Sequence, residues 1–477
     1  MAGYIDALMK YLLLSASLLA GCATYHPQPI DPPRLEKEYH ERSLSSPGLR
    51  AFMEASSAPK PAEWPLKEWT LAQLTLAGFY FSPELDMARA RLELAEAGIR
   101  TAGARPNPSI ALAPGYSASP ESALQFRVTP SFPIETAGKR GYRILEAEKL
   151  AEAARLELAE AGWRVRTGIR ANLVDHLLAL RERDLLAAEE NVRSEAVAIL
   201  EQRLAAGEVS RPDVDSARTE LMNTSLLLKS AEGRVAETLA ALAGSAGLPV
   251  SGFEGIAFDW PRFDQPPAEE ALPLAAVQRA GLLNRIDVRR VLAEYAAADA
   301  ALRLELAKQY PDIVLGPGYD FDEGHHKFTL GLALTLPIFN RNQGPIAAAE
   351  ARRKETAARF TALQALAIGE MERALAQYRS ALAQLTQAAA QGAALQQAKE
   401  NTARRAVEVG EMDRLALAGI SVQRAVVERA RLEALRKTRA ALGALEQSVQ
   451  LALDSGLRLP EVSTRSPREV SPPGGEK

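Results

Sequence analysis

The sequence predicts a mainly α-helical protein that carries a pair of β-hairpins and is internally duplicated. Three observations predict it. The chain repeats itself about 203 residues apart. Pro108-Ser109-Ile110-Ala111-Leu112-Ala113-Pro114-Gly115-Tyr116 returns as Pro311-Asp312-Ile313-Val314-Leu315-Gly316-Pro317-Gly318-Tyr319, Leu71 to Gly78 aligns with Leu274 to Gly281, and Gly207 aligns with Gly410. Short segments alternate apolar with polar or small residues at a period of two, which is the period of a strand. Finally, no proline lies between Pro133 and Pro212 or between Pro345 and Pro460, as very long helices require. Each copy reads helix, β-hairpin, very long helix, glycine turn, long helix. A two-stranded hairpin is marginal by itself, so something else must complete the sheet.

Length alone, at 477 residues, suggests about three domains; the duplication replaces that count with two copies of one unit. A net charge of −3 gives no global electrostatic case for nucleic acid. Aromatic residues are 6% of the chain, low for a globular core. Alanine and leucine dominate, as in long helices packed side by side. Cys22 is the single cysteine, so no intramolecular disulfide can form.

In chain order, residues 1–21 read as a lipoprotein signal peptide. The apolar run Tyr11 to Ala20 follows Lys10 and is too short to span a bilayer. It ends in Leu19-Ala20-Gly21-Cys22, which resembles a bacterial lipobox and makes Cys22 the lipidation (palmitate) site. Ala23 follows, where an aspartate would be the usual inner-membrane retention signal. An ordinary signal peptide with a chance cysteine is the alternative. Asp6 is foreign to a signal n-region, so Met9 competes with Met1 as the start. Residues 22–65 are polar and proline-studded and read as an acylated, extended arm.

The first repeat spans 66–245. Ser82-Pro83-Glu84 is a helix start, and Arg105-Pro106-Asn107-Pro108 stops that helix after about Ala104. Strands follow at Ser109 to Ser117 and Leu124 to Ile134. In the second, Leu124, Phe126, Val128 and Phe132 alternate with Gln125, Arg127, Thr129 and Ser131. The second repeat, 273–455, carries the matching alternation of Phe328, Leu330, Leu332, Leu334 and Leu336 with Thr329, Gly331, Ala333 and Thr335. About ten residues suits a tilted strand crossing a bilayer. Long helices are expected from about Tyr142 to Ala206 and from about Ile346 to Val409, each near 100 Å at about 1.5 Å per residue. Gly207 and Gly410 end them, and return helices run from about Asp213 to Ala243 and Asp413 to Leu453. The inter-repeat linker, 246–272, holds Phe253, Phe258, Trp260 and Phe263 and is expected to be a small structured patch. The tail, 456–477, is expected to be disordered.

Four amphipathic strands per chain cannot stand open in lipid, because edge N–H and C=O groups would lack partners. Subunits must pool strands: two chains give eight, and three give twelve, enough to leave a pore. Here the chain resembles the TolC-like outer-membrane efflux protein family. The resemblance is carried by Ala104-Arg105-Pro106-Asn107-Pro108, by Phe132-Pro133-Ile134 with Gly138-Lys139-Arg140, by Leu204 to Val214, and by Leu336-Pro337-Ile338-Phe339-Asn340. It covers about Trp69 to Leu453 and is nearest the heavy-metal (cobalt–zinc–cadmium or copper–silver) branch. It implies a homotrimer with a twelve-stranded transmembrane β-barrel continued by a periplasmic α-helical barrel. It also implies outer-membrane lipid around the barrel, a periplasmic adaptor, and an inner-membrane pump of the resistance–nodulation–division type.

The candidate functional residues follow. A hairpin tip far from the membrane is where a partner would meet the tube. The resemblance makes Arg203, Leu204, Gly207 and Glu208, with Arg405, Val409 and Gly410, adaptor contacts; a plain C-cap glycine is the bland alternative. Some members of this family carry aspartates six and nine residues past the second tip glycine, where this chain has Ala416 and Gly419. Glu408, Glu411 and Asp413 are the gate candidates that remain, against a reading as solvated helix-end charge. His325-His326 is placed in the loop between the last two strands, as a solvated pair more than a metal site. No metal ligand set, cofactor motif, phosphate loop or catalytic grouping is expected, so the chain is not expected to be an enzyme. The alternatives are a multidrug or type I secretion duct of the same fold, or a periplasmic coiled-coil adaptor or structural lipoprotein.

Overall fold

A computed structural model describes residues 24–56, 63–116, 124–272, 285–322 and 324–453. Cys22 and the signal segment, the tail, and the Leu274 to Gly281 half of the repeat lie outside the described residues. The chain divides into two units, 1–42 and 43–477. In the first, α1 (Pro32–His40) starts from Asp31, whose side chain accepts from the Arg34 N–H at 3.3 Å. An Arg34–Glu38 pair at 2.7 Å supports it one turn on.

The second unit opens with α2 (Pro47–Ser56). The sequence expectation of an extended arm through Pro65 does not hold here. Leu49 and Met53, one turn apart on one face of α2, are buried in the main core together with Leu44 just before the helix. β1 (Glu68–Thr70) leads into α3 (Leu71–Phe81), which is capped by a reciprocal Thr70–Gln73 box. α4 (Pro83–Gly103) begins after Ser82, with proline in its first turn, and stops where the sequence places the break.

Two strands follow, β2 (Ser109–Tyr116) and β3 (Leu124–Ile134), then α5 (Lys139–Ala205), a single 67-residue helix of about 100 Å. α6 (Arg211–Ser245) returns beside it. The linker folds back through β4 (Ala257–Asp259), which pairs in parallel with β1, Trp69 opposite Phe258. The second copy supplies α7 (Ile286–Ala307), β5 (Ile313–Asp322), β6 (His325–Leu334), α8 (Gln343–Gln387), α9 (Ala394–Glu408) and α10 (Arg414–Val449).

Two expectations are corrected. The second long helix is not continuous: a π-helical turn, Ala388–Ala393, separates α8 from α9. Gly392, weaker than alanine in a helix interior, lies within this turn, and a Cβ there would meet Val427 at 2.9 Å. His325 and His326 belong to β6, paired with Asp322 and Phe321 of β5. The Tyr319 hydroxyl lies 2.7 Å from His326 Nδ1.

The four long strands form one antiparallel sheet, β2-β3-β5-β6, so the hairpins of the two copies join through β3 and β5. The register sorts side chains by face. One face carries Leu112–Val128–Tyr319–Phe328, Phe132–Leu315–Leu332 and Ile134–Ile313–Leu334. The other carries Ala111–Thr129, Gly316–Gly331 and, towards the β5–β6 turn, Ala113–Arg127–Asp320–Lys327. Among the described residues, β2 and β6 each have one edge without a strand partner.

α5 packs against α4, α6, α7 and α10. The main core joins Trp69, Leu74, Phe79 and Phe81 to Leu158, Ile169, Leu173, Leu242 and Phe253. Beside it, charge is buried between the copies. Glu446 on α10 is fully buried and faces Arg166 at 3.2 Å and Arg170 at 2.9 Å, both on α5. Arg439, also fully buried, donates to the Phe263 and Arg262 carbonyls of the linker at 2.6–2.9 Å and lies against the Trp260 and Phe263 rings. Removing one partner of such a pair strands buried charge, at about 3–5 kcal/mol. Glu446→Ala is therefore expected to lower the thermal midpoint of the helical circular-dichroism signal clearly, whereas exposed Glu208→Ala leaves it unchanged. A Glu446→Ala midpoint equal to wild type would refute the cluster's role.

Candidate functional site

The helical tips are built alike. α5 ends at Ala205, and Gly207 takes φ +79°. The Gly207 N–H donates to the Leu204 carbonyl at 3.0 Å, and the Glu208 N–H to the Arg203 carbonyl at 2.8 Å. α9 ends at Glu408, and Gly410 also takes φ +79°. Its N–H donates to the Val407 carbonyl at 3.1 Å, and that of Glu411 to the Ala406 carbonyl at 2.8 Å. Both are Schellman motifs, which satisfy the last helical carbonyls through a left-handed residue. A Cβ added at either glycine would meet no atom within 4 Å, so the backbone angle is what demands glycine there.

The restarts differ. Before α6 the Asp213 carboxylate accepts from the Ser210 N–H at 3.1 Å and from the Ser210 hydroxyl at 2.6 Å, with Pro212 in the first turn. That hydroxyl holds the Asp213 carboxyl below its ordinary range. Before α10 the N-cap position is Asp413. Its carboxylate receives the Arg203 guanidinium of the first tip at 2.6 Å, which holds it below the usual aspartate range.

A residue assigned to partner contact is thus paired with one assigned to the gate, and the two tips of one chain are laced together. The seam continues inward between the first and second hairpins, through Glu189–Arg429 and Glu182–Arg436, each at 3.2 Å, to the buried Glu446. Sequence gave no signal of these pairs, since a repeat aligns the copies without saying which faces meet.

The other predicted residues are placed as follows. Gly207, Glu208, Arg405, Val409 and Gly410 are exposed, Val409 at 70%, and Leu204 is half-buried. Glu408 and Glu411 are exposed and join no ion pair among the described residues. No cluster of three or more histidine, cysteine or acidic side chains suited to a metal occurs among the described residues. None of the described helices is long and apolar enough to cross a membrane, which leaves the sheet's case untouched.

The family model described as outer membrane efflux protein matches residues 81–248. The chain is 30% identical over 300 residues to the cobalt-zinc-cadmium resistance protein CzcC of Cupriavidus metallidurans, covering 60% of this chain and 66%, just under two thirds, of that relative. Its fold is similar to that of the outer membrane protein VceC of Vibrio cholerae, at TM-score 0.64 and 20% identity over 80% of this chain and 96% of that one. It is likewise similar to CusC, at TM-score 0.63 and 18% identity over 83% and 96%. The open-state MtrE outer membrane channel of Neisseria gonorrhoeae matches at TM-score 0.64 and 17% identity over 80% and 89%.

Asp413→Asn is expected to speed hydrogen exchange at both tips, at 203–209 and 410–415, and unchanged exchange at the first tip would break the assignment. Because pairing depresses the carboxyl, the wild-type lacing persists above the usual aspartate range. It is lost only as pH falls through the lowered value. Gly207→Ala and Gly410→Ala should each weaken their tip by about 1 kcal/mol, from the strained left-handed angle, seen as faster local exchange.

Proposed function

We propose that the chain belongs to the outer membrane efflux protein family, whose model matches residues 81–248, and that it is the outer-membrane duct of a tripartite efflux system, passively conducting heavy-metal cations to the cell exterior. The observation that carries this is the sheet: apolar on one face, small and polar on the other, unpartnered at both edges, and continuous with helices of about 100 Å.

An apolar sheet face suits lipid, and its unpaired edge groups would cost several kcal/mol each there. Pairing β6 of one chain with β2 of the next removes every edge. Three chains close twelve strands, wide enough for an aqueous lumen. The inward face then offers Ala111, Thr129, Gly316, Gly318, Thr329 and Gly331, a lining without a substrate pocket. In the same trimer the helices continue the tube through the periplasm. Their tips, with Leu204, Gly207, Glu208, Arg405, Val409 and Gly410, meet a periplasmic adaptor joined to an inner-membrane pump. Glu408 and Glu411 are the acids left to face the axis, with Asp413 held by Arg203. Cys22 anchors the chain by lipid. The chain performs no catalysis and uses no cofactor; energy and selectivity come from the pump.

Heavy-metal cargo is supported by the relative, a cobalt-zinc-cadmium resistance protein. A deletion strain should become sensitive to one or more of zinc, cobalt, cadmium, copper and silver, and the intact gene should restore growth. Sensitivity to drugs and detergents without metals would make the duct a multidrug one. Gly207→Pro or Gly410→Pro should abolish rescue while a heat-dissociable trimer still forms in detergent. A helical monomer in the soluble fraction would overturn the duct itself.

A further inference from the structure

The apolar stripe of β6 does not stop where the strand stops. Leu330, Leu332 and Leu334 lie on its apolar face, and Leu336, Ile338 and Phe339 continue beyond it, all exposed, with Phe339 at 98%. The chain bends there: the Ile338 N–H donates to the Leu336 carbonyl at 2.9 Å across Pro337. Two residues later comes Arg341, exposed and in no ion pair among the described residues.

The base of this loop is fastened. Asn342, at φ +64°, donates through Nδ2 to the Glu305 carbonyl and to its carboxylate, both at 2.8 Å. The Asn342 N–H also donates to Asn340 Oδ1 at 2.8 Å. A bare aromatic ring is thus presented from a fixed mount.

The first copy uses the same position differently. Phe132-Pro133-Ile134 is followed by Glu135, which pairs with Arg143, and Thr136 and Lys139 are tied to Asp312 at 2.9 and 2.7 Å. That junction is consumed by internal bonds. Among the described residues, the second copy leaves Ile338 and Phe339 exposed and followed by Arg341, which joins no ion pair.

We propose that this loop, with Ile338 and Phe339 as apolar wedge and Arg341 as anion clamp, docks onto anionic phospholipid of the membrane leaflet on the helix side of the sheet. The proposal rests on the reading of the sheet as a membrane wall. The wall's apolar face ends at this loop, and the helices of the aqueous compartment begin just past it. An apolar tip with an adjacent guanidinium matches the chemistry at that level: acyl chain beginnings beneath a phosphate layer. One arginine held near an anionic membrane surface strengthens attachment there about five-fold.

The test uses full-length protein carrying Phe339→Cys, labelled with an environment-sensitive thiol dye and reconstituted in phosphatidylethanolamine vesicles with brominated acyl chains, with or without phosphatidylglycerol. Wild type, whose sole cysteine is Cys22, supplies the labelling background. Quenching at Phe339 should be stronger from shallow bromines than from deep ones and should increase with phosphatidylglycerol, and Arg341→Glu should erase that increase. A solvent-like, unquenched probe overturns the proposal. A blue-shifted but unquenched probe also overturns it, by making Phe339 a contact between subunits. A Leu330→Cys probe separates the two readings: quenched there but not at Phe339, only the loop assignment fails; unquenched at both, the membrane wall fails with it.

Discussion

Glu446 is the tie on which the two copies depend. It has no access to water and sits between Arg166 and Arg170 of the other copy. Buried charge tolerates little displacement, because separation returns neither partner to solvent. The cluster therefore sets where α10 lies along α5. Inward, the same register lets β3 pair with β5 in one continuous sheet. Outward, it sets Glu182 against Arg436 and Glu189 against Arg429, and brings Arg203 to Asp413 at the tips. Arg439 adds the linker to this tie, through the carbonyls of Arg262 and Phe263.

The sheet obeys a different constraint. Within one chain it has a meander's order, with β2 and β6 left at the edges. Exposed apolar side chains cover one face, and glycine, alanine and threonine much of the other. In water such a sheet would aggregate along its edges. In lipid it needs closure. The proposed trimer answers both demands with one pairing repeated three times. It also fits an interior face of small and polar residues without the bulky apolar side chains that fill small barrels.

The helical part is economical in a comparable way. Two identical Schellman endings let the chain reverse at the far end of helices of about 100 Å without a long loop. The hairpins then differ in their interiors. The first is continuous, whereas the second contains the π-helical turn at Ala388–Ala393. The copies are thus alike where the chain turns and unlike where the helices pack.

Much of the architecture was legible in the sequence, because it is encoded locally. Period two marked β3 exactly, the absence of proline marked the long helices, and Gly207 and Gly410 marked the tips, since only glycine adopts their angle freely. The repeat offset tied these elements into two copies. Other features depended on residues far apart in the chain. Residues 43–56 look like a tether by composition, yet Leu44, Leu49 and Met53 are buried once α3 and α5 provide a surface. His325 and His326 look like loop residues but are strand residues paired with Asp322 and Phe321. Arg203 and Asp413 carried separate roles until the fold set them 2.6 Å apart. Sequence alone determined the duplicated helix-and-hairpin plan, because backbone preference and hydrophobic period act over a few residues. Only the tertiary structure decided which charges meet, because partners separated by 210 or 280 residues are chosen by how helices lie against one another.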